Sequence, residues 1–165
     1  MKELSKLLLL ASIVGSTLVA DEVRKTAYIG GASSEVLNET VSEFVFGFGA
    51  DKIYNSGFVL GMNNEYSYGT LPSNTTTTDK NVYTVEFDLK LGYSPFKDFS
   101  IFGLGAAAGQ YIENSGGYGF GYGAGIDYQL TKSIVLDVRY KTYSMQDSLI
   151  DYDYDKAVAT LRYVF

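Results

Sequence analysis

Apolar and polar residues alternate strictly over Tyr83-Thr84-Val85-Glu86-Phe87-Asp88-Leu89-Lys90-Leu91-Gly92-Tyr93. A period of two places the two sets on opposite faces of a β-strand, whereas a helix would mix them around its circumference. The pattern recurs. Phe44, Phe46, Phe48 and Ala50 alternate with Val45, Gly47 and Gly49, and Phe58, Leu60, Met62, Tyr66 and Tyr68 alternate with polar or small residues, Asn64 being the one polar break. Further segments run over Phe120–Leu130, Ile134–Lys141 and Lys156–Phe165. Residues 25–32 and 100–111 are rich in Gly and Ala and fit strands one and five by spacing, in either register. The pattern therefore predicts eight strands of about ten residues, long enough to cross a bilayer at a tilt.

The connections alternate in length. Residues 51–56, 94–99 and 131–133 are short and carry turn chemistry in Asn55-Ser56-Gly57, Ser94-Pro95 and Thr131-Lys132-Ser133. Residues 33–43, 69–81, 112–119 and 144–153 are longer and polar. Short turns on one side and long loops on the other are the plan of an up-and-down barrel that crosses an outer membrane.

Residues 1–20 read as a cleaved export signal: Lys2 and Lys6, an apolar core from Leu7 to Val14, and a small-residue region ending at Ala20. The apolar stretch Leu7–Ala20 is 14 residues long, short of the roughly 20 that a spanning helix needs. Residues 21–165 form the predicted barrel domain. Without residues 1–20 the net charge is −7, against −6 for the whole chain, and no basic patch for nucleic acid exists.

Alternation alone also fits a soluble, lipocalin-like barrel with its apolar face inward. The polar face decides between the two. It holds Glu65, Glu86, Asp88, Asp127 and Asp137 against Lys90, Arg139, Lys141, Lys156 and Arg162. Five acids match five bases in a chain that is acidic overall, as expected of a narrow lumen in which charges need partners. Asp137 and Arg162 are placed to face each other across strands seven and eight. The apolar face is uncharged over the clear strands and gathers aromatic residues near the strand ends. Phe44, Tyr66, Tyr68, Tyr83, Phe120 and Tyr140 lie toward the loops, and Phe58, Tyr93, Phe102, Tyr128, Tyr163 and Phe165 toward the turns. Two such girdles mark the interfaces of a lipid-facing wall. The excess acidity falls on the long segments. With Asp155 they hold Glu35, Glu39, Glu43, Asp79, Glu113, Asp147, Asp151 and Asp153 against Lys80 alone, a net −8.

The chain ends Leu161-Arg162-Tyr163-Val164-Phe165, with Leu161, Tyr163 and Phe165 on one face. This ending resembles the assembly signal of outer-membrane barrels. With the export signal and eight amphipathic strands, residues 21–165 resemble the small eight-stranded outer-membrane β-barrel family of the OmpA/OmpX type and the opacity-protein-like porins. The resemblance implies an all-β, closed, antiparallel barrel in the outer membrane of a Gram-negative bacterium. The barrel-assembly machinery would read the carboxy-terminus, and outer-membrane lipid and lipopolysaccharide would surround the wall.

Outer-membrane barrels resembling lipid A deacylases, phospholipases or palmitoyltransferases use a His. This chain has neither His nor Cys, so a Ser-His nucleophile and a thiolate metal site are excluded. Asp151-Tyr152-Asp153-Tyr154-Asp155 starts like a calcium loop but has Lys156 where Gly is required and Arg162 where Glu is, so a solvated acidic loop is expected. No cofactor, metal or catalytic residue is predicted. Two functions remain: a structural or surface-interaction barrel with a lumen filled by paired charges, or a narrow channel for small solutes or ions.

Overall fold

A computed structural model describes residues 22–36, 39–71, 80–112, 115–147 and 151–165. The signal segment 1–20 lies outside them. The strands are β1 (Glu22–Val36), β2 (Glu39–Ile53), β3 (Phe58–Leu71), β4 (Lys80–Phe96), β5 (Phe99–Ile112), β6 (Ser115–Gln129), β7 (Ile134–Gln146) and β8 (Asp151–Val164). Each pairs antiparallel with the next, and β8 returns to β1 to close the barrel. All eight predicted strands are present.

The register fixes the shape of the barrel. Paired residues lead around the wall from Ala50 through Met62, Leu89, Gly105, Tyr122, Thr142, Asp155 and Glu35, returning to β2 at Thr40, ten residues from the start. A stagger of that size over eight strands tilts them by about 40°, and an eight-stranded interior is just wide enough to be filled by side chains.

The strands run further than the alternation predicted. Only residues 37–38, 72–79, 113–114 and 147–150 separate strands at the extracellular end, so most of the expected long loops are continued ladder. Past the lipid both faces of a strand are polar or small, as at Ser33 opposite Ser42 and Glu35 opposite Thr40, and the period-two signal fades although the pairing persists. Asp151-Tyr152-Asp153-Tyr154-Asp155, expected as a loop, opens β8. Its Tyr residues turn inward and its Asp residues outward.

Two of the three short turns carry the chemistry expected of them. Between β2 and β3 the amide of Gly57 donates to the Tyr54 carbonyl at 2.8 Å, and Gly57 takes a φ of 84°, where a side chain would be strained. Thr131 Oγ1 accepts the Ile134 amide at 3.1 Å before β7. Ser94-Pro95, expected to make the turn after strand four, instead sits in a register shift between Tyr93 and Phe96, and the chain reverses at residues 97–98. Pro95 cannot donate to a ladder, so it falls at an irregularity rather than within paired strand.

Strand five settles into one register. Ser100, Phe102, Leu104, Ala106, Ala108 and Gln110 point inward; Ile101, Gly103, Gly105, Ala107, Gly109 and Tyr111 point to lipid. Phe102, assigned by sequence to the lower aromatic girdle, is therefore inside, with 5% of its surface exposed. Glycines make its slot: a Cβ at Gly125 would lie 2.7 Å from the Phe102 ring, and one at Gly92 2.7 Å from its Cβ. The other eleven girdle aromatics are exposed on the outer wall.

Candidate functional site

The interior is built from inward positions of all eight strands. The ten charged residues expected on the polar face all point there, and all are buried. Like charges sit side by side on one wall and face unlike charges across the barrel. Glu65 of β3 pairs in register with Glu86 of β4, and Lys141 of β7 with Lys156 of β8. Adjacent carboxylates repel, and so do adjacent ammonium groups. Each pair is neutralised from the opposite wall. Lys141 Nζ lies 3.2 Å from Glu65 and 3.3 Å from Asp88, and also contacts Glu86. Lys156 Nζ lies 2.5 Å from Glu86 and 3.1 Å from Glu65. The ion pairs are thus ties across the lumen.

Arg139 extends this lattice toward the periplasm. It meets Glu65 at 2.6 Å, Asp88 at 3.2 Å and Asp137 at 2.6 Å. Asp137 and Arg162, expected to face each other, do meet, at 3.3 Å, but diagonally: Asp137 is opposite Thr160 and Arg162 opposite Val135. Arg162 also donates to Asn63 at 3.0 Å. Below them Lys90 bridges Asp51 at 3.1 Å and Asp127.

Two acids in this lattice were assigned elsewhere by sequence. Glu43, placed in the first long loop, is 5% exposed and lies 3.3 Å from Lys156. Asp51, placed in a periplasmic turn, is 6% exposed and holds Lys90. The interior lattice therefore has seven acids and five bases, a formal −2 rather than a balance, and the long segments lose part of their acidity to it.

Aromatic residues complete the site: Tyr143, Tyr154 and Tyr28, which the alternation left unassigned, and Phe102, which it placed on the outer wall. The Tyr143 hydroxyl donates to Glu86 at 2.6 Å, and the Tyr154 hydroxyl to Glu43 at 3.1 Å, with the two rings 5.4 Å apart. Tyr28 lies under Arg162 (4.6 Å) and Arg139 (5.4 Å), and its hydroxyl donates to the Asn64 carbonyl at 3.1 Å. Lys90 stands 4.2 Å over the ring of Phe102. Cationic groups over ring faces gain attraction where water is excluded.

Toward the extracellular end apolar side chains join the charges inside, with Gln110 and Thr84, and Ser34 and Glu43, hydrogen-bonded among them. Val36, Val41, Ala106, Ala108, Tyr143, Met145 and Tyr154 form one buried cluster, with Leu71, Ile112 and Tyr152 packed against it at the extracellular end. Sequence reasoning missed this layer because Val36, Val41 and Met145 fall in segments assigned to loops. Their alternation with Glu35, Ser42 and Ser144 was the available signal. Among the described residues no group of three or more His, Cys, Asp or Glu side chains is arranged to hold a metal ion.

A closed eight-stranded barrel with an apolar, aromatic outer wall and its charges inside defines an outer-membrane barrel, because only such a wall is compatible with lipid. The family model for the outer membrane protein beta-barrel domain matches residues 7–165, and the chain belongs to that family. It is located in the bacterial outer membrane. Neisserial surface protein A superposes with a TM-score of 0.64 at 14% identity, over 87% of this chain and 97% of that one. Ail, the attachment invasion locus protein of Yersinia pestis, gives 0.59 at 16% identity, over 87% and 99%. A de novo designed transmembrane β-barrel gives 0.52 at 16% identity, over 86% and 95%. At these identities the likeness is one of fold. No curated protein is similar enough in sequence to count as a relative.

Proposed function

We propose that the protein is a closed, non-enzymatic barrel whose role is structural or is exercised at its extracellular end, and that it does not conduct. The observation carrying this reading is the double closure of the lumen. An ion entering from the periplasm meets Lys90, Arg162, Arg139, Lys141 and Lys156 tied to carboxylates on other strands. Past them it meets the packed side chains of Val41, Met145 and Tyr154, whose polar neighbours Glu43, Ser34, Gln110 and Thr84 are already hydrogen-bonded to one another or to Tyr154 and Tyr152. Planar-bilayer recording of the refolded protein is expected to give no resolvable unitary currents. Reproducible single-channel steps would establish the narrow channel instead.

Two partners follow from the same reading. Glu35 and Asp155 are paired neighbours on the outer faces of β1 and β8, and Asp153 lies just above. At the upper edge of the lipid wall these acids would be bridged by divalent cations to lipopolysaccharide phosphates. Leu161 and Tyr163 stand exposed on the outer face of β8 and Phe165 just past its end, the arrangement that the barrel-assembly machinery would read. Phe165 is 68% exposed, and its amide donates to the Lys25 carbonyl at 3.1 Å. Its ring is therefore a small part of the packing. Phe165→Ser is expected to refold in detergent with normal gel mobility, yet to be largely lost from the outer-membrane fraction when expressed in cells. Equal recovery of variant and parent in that fraction would remove the assembly role.

A further inference from the structure

The lipid-facing wall carries one side chain that hydrocarbon does not suit. Asn64 lies exposed on the outer face of β3, between Met62 and Tyr66, and pairs in register with Phe48 of β2 and Phe87 of β4. Phe58 of the lower girdle is six positions away, and Tyr66 and Tyr68 of the upper girdle are two and four, so the amide sits between the girdles, on the upper side of mid-depth. Other outward Ser, Thr and Lys residues lie toward the strand ends, among them Lys25, Ser33, Ser42, Lys52, Thr70 and Thr142.

The backbone carbonyl of Asn64 is taken from inside by the Tyr28 hydroxyl. The side-chain amide has no hydrogen-bond partner among the described residues. A carboxamide brings two donors and an acceptor, and the acyl region holds no water to satisfy them. An acyl chain supplies neither donor nor acceptor. A second Asn64 supplies both in matching geometry, because an isologous interface brings the same residue from each copy to the axis.

We propose that the protein forms a homodimer in the membrane through the β2–β4 wall, with the Asn64 amides of the two copies hydrogen-bonded to each other across the two-fold axis. The surroundings fit this contact. Asn64 is shorter than the flanking Phe48 and Phe87, so it lies in a shallow dimple rimmed by aromatics. Phe46 and Tyr66 on the rim are stacked at 5.2 Å. Rings already held in place lose little freedom on docking. The outer wall of β7 and β8, with Leu136, Val138, Ala157, Ala159 and Leu161, has no comparable mid-depth amide. Lipid matches such a wall as well as protein does.

The chain has no Cys, so a single thiol reports on one position. The full chain is refolded into phosphatidylcholine vesicles at low protein-to-lipid ratio and oxidised. Asn64→Cys is expected to give a disulfide-linked dimer, and Val138→Cys, on the opposite wall, only random collisions. Energy transfer between donor- and acceptor-labelled copies gives a second readout that keeps the amide intact. Asn64→Leu is expected to weaken dimerisation about tenfold, and Asn64→Gln to retain it. Leu suits lipid, so Asn64→Leu is expected to fold. Energy transfer in the parent no greater than random proximity would overturn the proposal, as would an undiminished Asn64→Leu dimer. Equal crosslinking at positions 64 and 138 would do the same.

Discussion

Lys141→Met is expected to destabilise the folded barrel by about 3–5 kcal/mol, the range found when one member of a buried charge network is removed. Lys141 sits between Glu65, Glu86 and Asp88, which come from β3 and β4. Without its ammonium group, Glu86 keeps Lys156 and the Tyr143 hydroxyl, Glu65 keeps Lys156 and Arg139, and Asp88 must share that same Arg139. The penalty is that of leaving carboxylates desolvated, not of losing one attraction. Removing a carboxylate as well should therefore return stability, and Lys141→Met with Glu86→Leu is expected to be more stable than Lys141→Met alone. The chain has no Trp, so urea unfolding in lipid vesicles is followed by circular dichroism. A single variant within about 0.5 kcal/mol of the parent, the range of neutral surface changes, would mean that the lattice contributes little to stability. The double variant is also expected to stay electrically silent, because the packing around Val41, Met145 and Tyr154 is untouched.

How much of this lattice the sequence announces depends on what lies on the other face of the wall. Glu65, Glu86, Asp88, Lys90 and Arg139 alternate with Tyr66, Phe87, Leu89, Leu91 and Val138, which face lipid. Where lipid sorts one face, the other is legible by default. Glu43 lies where the outer neighbour on one side is Ser42, and Asp51 next to Lys52, so neither stretch separates into an apolar and a polar face. Both acids were accordingly assigned to connections. Phe102 failed for the complementary reason. Between Ile101 and Tyr111 the outer face of β5 is Gly103, Gly105, Ala107 and Gly109, too small to outvote an inward aromatic. Tyr143 and Tyr154 lie toward the extracellular end, where apolar side chains share the interior with the charges and the rule of polar inside weakens. Closure, strand number and direction were legible because they depend only on repeated alternation and on turn spacing. The cross-lumen partners were not, since which carboxylate meets Lys141 is set by the ten-residue stagger, a property of the closed ladder rather than of any one strand.

Gly47→Val is expected to cost about 3 kcal/mol, at the upper end of what inserting carbon into a packed interior produces. Gly47 faces inward between Tyr28 of β1 and Glu65 of β3. Even a single β-carbon there would collide with the Asn64 carbonyl oxygen and come within 2.5 Å of Tyr28 Cζ. The glycine is thus the slot into which the Tyr28 ring lies flat, and that ring supports Arg162 and Arg139. Truncating the ring should relieve only part of the strain, because the Asn64 oxygen belongs to the backbone and cannot rotate away. Gly47→Val with Tyr28→Ala is therefore expected to recover some of the loss and to remain less stable than Tyr28→Ala alone. The slot and the ion lattice are coupled through Arg139, which leans on Tyr28 and ties Glu65 to Asp137. Urea titrations of Gly47→Val, Lys141→Met and their combination should depart from additivity by more than about 0.5 kcal/mol. Strict additivity would mean that Tyr28 fills space without positioning Arg139.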